Sequence, residues 1–203
     1  MRFEEVTLGG PPGLADFYAD VLELPRAGEA IRIGETTLRF APRDGEPFYH
    51  FAFLVPGDRF DAALTWAQAR VELLGDVFES DAWDSRAVYF HDPAGSIVEL
   101  IAHRGLEENG RSGELSAEEF LGCSELGIVG DRPELLGRLE IAGLELWDGS
   151  VESENRLAFV GEQGRTLILA PPGRGWMPTG RPAEPHSVEL VVKISDRRVP
   201  LAF

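Results

Sequence analysis

Three strand-like segments of the sequence each carry one side chain that can bind a metal ion: Glu5 within residues 2–8, His50 within 48–55 and Glu99 within 91–101. One imidazole nitrogen and two carboxylate oxygens suit Mn, Fe, Co, Ni or Zn, and ligand identity does not choose among these divalent metals. Two carboxylates buried near each other are costly without a cation, so a divalent ion would neutralise them. Three protein ligands leave positions open for water and substrate, as metal catalysis requires.

Strand alternation gives an independent reason to expect this convergence. In each segment one face is predominantly apolar, as expected for strands packed under helices, and the other face carries Glu5, His50 or Glu99. If these faces line one concave surface, the three polar groups meet. The residues alone leave an alternative open, in which each is a solvated strand residue or a hydrogen-bonded cavity residue.

The elements that must position these residues follow a repeated order of strand, helix and antiparallel strands. Helical spacing covers 14–22, 59–70 and 132–142, and strand patterns include 30–33, 36–41, 49–55, a weak 71–77, 124–129 and 187–194. The first strands of the repeats align as Glu5-Val-Thr-Leu, His50-Phe-Ala-Phe, Glu125-Leu-Gly-Ile and Glu189-Leu-Val-Val. The sequence therefore predicts an α+β fold of tandem βαβββ modules, the last of them truncated.

This repeat predicts a division of the chain into two halves. Residues 1–105 are expected to hold a pair of modules and the metal site, and residues 106–119 to form a polar linker. Residues 120–203 are expected to hold a degenerate third module and one terminal strand, with a structural or lid role. An unmatched terminal strand invites edge pairing, so a homodimer stays an open alternative.

Two motifs make the chain resemble the vicinal oxygen chelate superfamily of glyoxalases, bleomycin-resistance proteins and extradiol dioxygenases. They are the helix end Leu14-Ala-Asp-Phe-Tyr-Ala-Asp-Val-Leu-Glu-Leu24 and the hairpin Tyr89-Phe-His-Asp-Pro-Ala-Gly-Ser-Ile-Val-Glu-Leu100. The resemblance implies curved antiparallel sheets around a cavity, with metal ligands on first and last strands of modules. Carried over, these positions are Glu5, His50 and Glu99, with Leu38 at a fourth position that cannot ligate. The superfamily usually has His where this chain has Glu5.

Other side chains are weaker candidates. Arg86 and the aromatic residues Trp83 and Tyr89 approach the Glu99 hairpin and are candidates for substrate binding, the alternative being a surface arginine and core aromatics. Glu125 and Glu189 occupy the corresponding first-strand positions of the second half, where no third ligand matches Glu99, so a metal is not expected there. Residues 173–180, which contain a tryptophan, are either a loop closing over a cavity or a packed connection.

Composition narrows the partners. The formal charge of −16 over 203 residues argues against nucleic acid or an anionic membrane, because both attract positive surfaces. Cys123 is the only cysteine, no apolar run is long enough to span a bilayer, and residues 1–6 lead straight into a strand pattern. A cytoplasmic protein with a small-molecule ligand is expected.

Three functional hypotheses follow from these observations and the resemblance. The first is a metal-dependent dioxygenase, lyase or isomerase that chelates a substrate through vicinal oxygens, with Glu99 or Glu5 available for proton transfer. The second is a metal-free protein of the bleomycin-resistance type that sequesters a small molecule. The third is an assembly or regulatory module without chemistry.

Overall fold

The computed structural model describes residues 1–43, 45–153 and 156–203. The strands of its first half are β1 (Arg2–Gly9), β2 (Arg26–Ala27), β3 (Ala30–Ile33), β4 (Thr36–Ala41), β5 (His50–Leu54), β6 (Phe78–Ser80), β7 (Ser85–His91) and β8 (Ile97–His103). Those of its second half are β9 (Gly122–Val129), β10 (Leu146–Gly149), β11 (Ala158–Glu162), β12 (Arg165–Ala170), β13 (Gly175–Trp176), β14 (Arg181–Pro182), β15 (Val188–Ile194) and β16 (Arg197–Ala202).

Short helices connect the strands within the modules. They are α1 (Leu14–Asp16), which continues as a π-helical turn (Phe17–Val21), α2 (Phe60–Gln68) and α3 (Arg132–Ala142). Helix α3 begins where its sequence predicts, because the Asp131 carboxylate accepts a hydrogen bond of 2.9 Å from the Glu134 amide and Pro133 occupies the first turn. It ends at Gly143, whose positive φ closes the last turn. None of the helices in the described ranges has both the length and the apolar composition that a bilayer crossing requires.

Two large sheets organise the fold. Sheet I has the strand order β16-β15-β1-β4-β3-β2, and sheet II has the order β10-β11-β12-β9-β5-β8-β7-β6. Sheet I therefore combines the first module with the residual fourth one, and sheet II combines the second module with the third. The predicted α+β architecture of repeated modules is confirmed.

The partners within each sheet differ from the sequence-based expectation. The first two modules do not share a sheet: β5 pairs antiparallel with β9, and β1 pairs antiparallel with β15. Within its own module, the first strand of each complete module pairs along one edge with the last strand. Its other edge is left for a strand of another module. Because the four first strands have similar patterns, the local sequence does not say which open edges meet.

The C-terminal strands remove the reason for expecting a homodimer. Strand β15 is not left unmatched, since it lies between β1 and β16 in sheet I. The prediction of a strand over 71–77 is wrong, because residues 71–77 contribute only an isolated bridge between Leu73 and Phe90. Strands β10 and β16 are additional elements of the structure.

One face of sheet II packs on the core and the other lines a cavity. Phe51 and Phe53 of β5 lie in the main core with Phe3 of β1 and Leu126 of β9. Their neighbours of opposite parity on β5, including Ala52, lie in a second apolar cluster with residues such as Tyr89, Ile101 and Ile168. The strand period of two thus puts His50 on the face away from the main core.

The predicted linker is held against the second module. Glu119 forms a buried ion pair with Arg59, with 2.9 Å between Oε2 and Nε, and Asn109 donates a further hydrogen bond of 3.0 Å to the same oxygen. Leu115 of this segment is 5 % exposed. Residues 106–119 therefore have a fixed path across α2.

Gly34 permits a close contact between the β3–β4 turn of sheet I and the start of β9. Its φ is +49°, and a Cβ placed there would lie 2.2 Å from the Phe120 carbonyl oxygen. The next amide, that of Glu35, donates a 3.0 Å hydrogen bond to the Leu121 carbonyl. A side chain at this position would separate the two segments.

The first prediction concerns this contact. Gly34→Ala should lower the free energy of unfolding by about 1–3 kcal/mol more than Gly28→Ala, because both add a side chain at positive φ but only Gly34 meets backbone. Urea denaturation of the two variants and the wild type measures the difference. Equal losses for both variants would contradict the role of Gly34 at this contact.

Candidate metal centre

Ala52 lies between two of three neighbouring side chains that could bind a metal ion. In the parallel β5–β8 pair Ala52 lies opposite Glu99, and in the antiparallel β5–β9 pair it lies opposite Glu125. The two glutamates therefore flank Ala52 on the same face, and His50 is two residues earlier on β5. Since alanine is short, it leaves space above the sheet for the three longer side chains.

The three side chains converge closely and are buried. His50 Nε2 lies 3.5 Å from Glu99 Oε2 and 4.0 Å from Glu125 Oε2. One donor atom from each residue lies within 4.8 Å of the other two. His50, Glu99 and Glu125 are between 3 and 5 % exposed. Among the described residues, these three form the candidate site for a metal ion.

Burial controls the protonation of all three groups. It lowers the pKa of His50 to about 4, so the imidazole is neutral at pH 7. It raises the pKa of Glu125 to about 7. The pKa of Glu99 is raised well above its usual range by burial and then by the charge of Glu125, against a lowering contribution from Tyr89. Without a cation, the site therefore holds a proton that two exposed glutamates would have released.

The residues present fit a divalent cation. In the described part of the chain, the only basic group within 4 Å of the Glu99 and Glu125 carboxylates is the neutral His50. Two ligand atoms at about 2.1 Å from one ion lie at most ~4.2 Å apart, and both distances from His50 Nε2 are below this bound. An ion within reach of Nε2 would balance both carboxylates.

Glu5, predicted as a ligand and as a catalytic group, is not part of this cluster. It lies on β1 of sheet I, its side chain is 43 % exposed, and it accepts a 2.6 Å hydrogen bond from Arg198. The pairing of β1 with β15 shifts register between Phe3 and Glu5. The bulge brings Phe3 to the core face with Val6 and Leu8, while Glu5 stays on the opposite face, which belongs to sheet I and not to the sheet of His50 and Glu99.

Glu125, rather than Glu5, lies with His50 and Glu99, although no metal was expected at the first-strand positions of the second half. The available signal was the alignment of Glu125 with His50 at the first strands of their modules. Glu189, the other second-half candidate, lies exposed on sheet I and pairs with Arg43. The fourth equivalent position, two residues beyond the partner of Glu125 on β12, is Ile168, which cannot ligate.

Two of the three predicted substrate-binding residues line the cavity. Trp83 and Tyr89 do so, and Tyr89 lies opposite Glu99 in the β7–β8 pair. Arg86 is directed elsewhere, since its guanidinium bonds to Asp61 at 2.8 Å and stacks 4.3 Å from the Phe60 ring centroid. The predicted pairing of an arginine with the aromatics is therefore not provided by Arg86.

The cavity above the three donors is small and mainly apolar, with a volume of about 190 Å³. Besides the three donors, its lining consists of Phe78, Ser80, Trp83, Ser85, Tyr89, Ile101, Leu157, Phe159, Ile168, Arg174, Trp176 and Met177. An apolar wall around a few polar groups is typical of a small-molecule site.

Residues 171–183, here called the strap, cover one side of the cavity. Trp176 of the strap is 4 % exposed and stacks on the His50 ring at a centroid distance of 5.0 Å. Gly127 makes room for it, since a Cβ there would lie 2.7 Å from the indole. Within residues 173–180, Trp176 packs over the cavity while Gly173 and residues 177–180 are exposed, so the segment combines features of both expectations.

Comparisons with known proteins identify the fold. No protein-family model and no curated protein matches the chain. Among solved structures, a proposed dioxygenase from Bacillus subtilis aligns with a TM-score of 0.58 and 18 % identity, covering 84 % of this chain and 63 % of that one. Glyoxalase I from Zea mays aligns with a TM-score of 0.54 and 14 % identity, covering 84 % and 66 %.

These similarities establish the fold class. The chain spans less than two thirds of the length of either structure. At such identities the likeness concerns the fold alone. The chain has the fold of the vicinal oxygen chelate superfamily, as its two motifs indicated.

The second prediction tests the protonation of Glu125 in metal-free protein. A carboxyl whose pKa is raised by folding stabilises the protein below its unfolded pKa, and this contribution is lost as the pH rises through its folded pKa. Glu125→Gln should therefore match the wild type near pH 4.5 and exceed its free energy of unfolding by on the order of 3 kcal/mol above pH 7. Denaturation in EDTA across this range measures the difference.

Glu5→Gln is the matched control, because Glu5 is an exposed glutamate on a first strand. Its difference from the wild type should change little over the same pH range. A Glu125→Gln difference that is equally independent of pH would contradict the burial of an uncompensated carboxyl.

Proposed function

We propose that this protein is a metal-dependent enzyme that binds a small molecule through two neighbouring oxygens at an ion held by His50, Glu99 and Glu125. The observation that carries the proposal is the convergence of two buried carboxylates and a neutral imidazole without a cationic partner among the described residues. A set of one nitrogen and two oxygens fits Fe, Mn, Zn, Ni or Co. The reaction class is a dioxygenase, lyase or isomerase.

When bound, the ion would supply Lewis-acid stabilisation for negative charge on substrate oxygens. His50, Glu99 and Glu125 would hold the ion, and because Ile168 at the fourth equivalent position cannot ligate, a position would remain open to water or substrate. The apolar wall excludes water, which strengthens the electrostatic interactions inside the cavity. Because His50 is neutral at pH 7, it needs no deprotonation before it binds a metal.

Tyr89 is the residue best placed to orient Glu99. Tyr89 lies opposite Glu99 in the β7–β8 pair, and its pKa is raised by burial and by the charges of Glu99 and Glu125, so its hydroxyl remains a protonated donor at pH 7. A hydrogen bond from this hydroxyl would orient the Glu99 carboxylate for a cation. Partners of this kind set ligand orientation in metal sites.

The main alternative is a metal-free protein that sequesters an apolar compound in the same cavity. The apolar lining suits either function, so metal content separates them. Both the metal-dependent enzyme and the sequestering protein would bind a small molecule. A cytoplasmic location, the absence of nucleic-acid and membrane partners, and the oligomeric state stay predictions.

The third prediction concerns metal stoichiometry. Protein purified without chelators should bind one equivalent of a divalent metal, and His50→Ala, Glu99→Gln and Glu125→Gln should each weaken binding by more than about 100-fold, since outer partners alone account for about 10–100-fold. Elemental analysis and titration with Zn²⁺ or Mn²⁺ measure this. Affinity should rise with pH towards pH 7 and above, because the proton shared by the glutamates must leave.

Two glutamates on equivalent first strands serve as controls. Glu5→Gln and Glu189→Gln should retain full stoichiometry, since both side chains lie on sheet I and pair with arginines. A wild type without metal, whose content does not differ from that of His50→Ala, would favour the sequestering protein. Loss of metal in Glu5→Gln would contradict the assignment of the ligands.

The fourth prediction concerns Tyr89. Tyr89→Phe should keep one metal per chain but weaken its affinity by about 10-fold, because the phenyl ring fills the same space and only the hydrogen bond to Glu99 is lost. Zn²⁺ competition titration at pH 7.5 measures the change. Unchanged affinity would exclude an orienting role for the hydroxyl.

A further inference from the structure

The strap carries the one cationic side chain among the described residues that line the cavity. Arg174 shares this lining with the Glu99 and Glu125 carboxylates, with a few neutral polar groups and with mainly apolar side chains. Among the described residues its guanidinium makes no ion pair, and one of its donors bonds to the Gly175 carbonyl within the strap. An arginine guanidinium has five N–H donors, so most of its hydrogen-bonding capacity remains.

The backbone of Arg174 is fixed. Its carbonyl accepts a 2.7 Å hydrogen bond from Ala183, and Gly173 donates one of 2.8 Å to the Ala183 carbonyl. The far end of the strap is held by Arg181, which bonds to the Gly95 carbonyl at 2.9 Å and lies 3.3 Å from the centroid of the Phe48 ring. The guanidinium therefore projects from a braced segment rather than from a free loop.

Charge balance in the cavity suggests that Arg174 binds an anion. A divalent ion would balance Glu99 and Glu125, and the charge of Arg174 would then have no counterpart in the described lining. A buried or half-buried cation in an apolar site is stabilised by an anion, and a guanidinium fits a carboxylate with two parallel hydrogen bonds.

The cavity volume limits the size of the anion. A cavity of about 150 Å³ admits benzene in a known engineered case. The present volume of about 190 Å³ corresponds to one six-membered ring with a few small substituents. Trp83 and Phe159, whose rings meet edge to face at 4.5 Å, provide an aromatic wall for such a ring.

We propose that Arg174 is a specificity-determining residue that selects small single-ring carboxylates, binding the carboxylate at the strap while the rest of the molecule occupies the apolar cavity. This inference rests on the proposed function for its charge balance. It assigns the substrate class rather than the reaction: an organic acid whose other oxygens face the metal centre.

The test compares carboxylates with their neutral amides of nearly equal shape. Phenylacetate and phenylacetamide probe the anion site alone, and 3,4-dihydroxybenzoate and 3,4-dihydroxybenzamide add two neighbouring oxygens for the ion. Binding to the Zn²⁺-loaded wild type at pH 7.5 is measured by calorimetry. The carboxylate of at least one pair should bind about 10- to 100-fold more tightly than its amide, as expected for loss of a charge-assisted pair.

Arg174→Met should abolish this preference and leave metal content unchanged, while Arg174→Lys should retain part of it, since lysine keeps the charge without the planar fork. Arg39→Met, an exposed arginine on β4 of sheet I, is the matched control and should behave as the wild type. No carboxylate preference in the wild type for either pair would overturn the inference. A preference that survives in Arg174→Met would also overturn it, because the carboxylate would then be bound at the metal.

The two proposals fail separately in this experiment. If metal binds with the expected stoichiometry but selectivity does not depend on Arg174, the metal function stands and the anion site is wrong. If the wild type holds no metal yet selects carboxylates through Arg174, the anion site stands and the metal-dependent function is wrong.

Discussion

Two carboxylates side by side on the buried face of a sheet are the constraint on which the rest of the site depends. Glu99 and Glu125 flank Ala52 across adjacent strands, and each would be ionised at pH 7 if it were exposed. Burial raises the pKa of both, and the charge of Glu125 raises that of Glu99 further, so the protein must keep a proton there or bind a cation. His50 contributes a neutral nitrogen because the same burial lowers its pKa. Keeping both carboxylates ionised is therefore costly unless a cation accompanies them.

The pairing of modules decides which side chains share this constraint. His50 and Glu99 come from the second module, and Glu125 comes from the third through the antiparallel contact of β5 with β9. Sheet I, built from the first and fourth modules, keeps its own glutamates Glu5 and Glu189 on an exposed face with arginine partners. The second and third modules form the cavity, and the first and fourth modules contribute surface to the core.

The connection between the third and fourth modules completes the cavity. The strap places Trp176 on the imidazole of His50, and Gly127 is small enough to accept the indole. It also brings Arg174 to the lining. A segment whose composition of glycine and proline indicates only a loop thus supplies both an aromatic cover and a charge. Hydrogen bonds between the two ends of the strap, from Gly173 to Ala183 and from Ala183 to Arg174, hold its backbone in place.

The sequence by itself determined the repeated βαβββ order, helix α3, the hairpin strands, and His50 and Glu99 as inward-facing polar residues. These follow from hydrophobic period and capping chemistry, which are local properties of the chain. Tertiary structure alone decided that Glu125, rather than Glu5, meets them, and that Arg174 rather than Arg86 reaches the cavity. Strand partners are chosen by open edges far apart in sequence, so local patterns do not place Glu5 on sheet I and Glu125 beside His50 on sheet II.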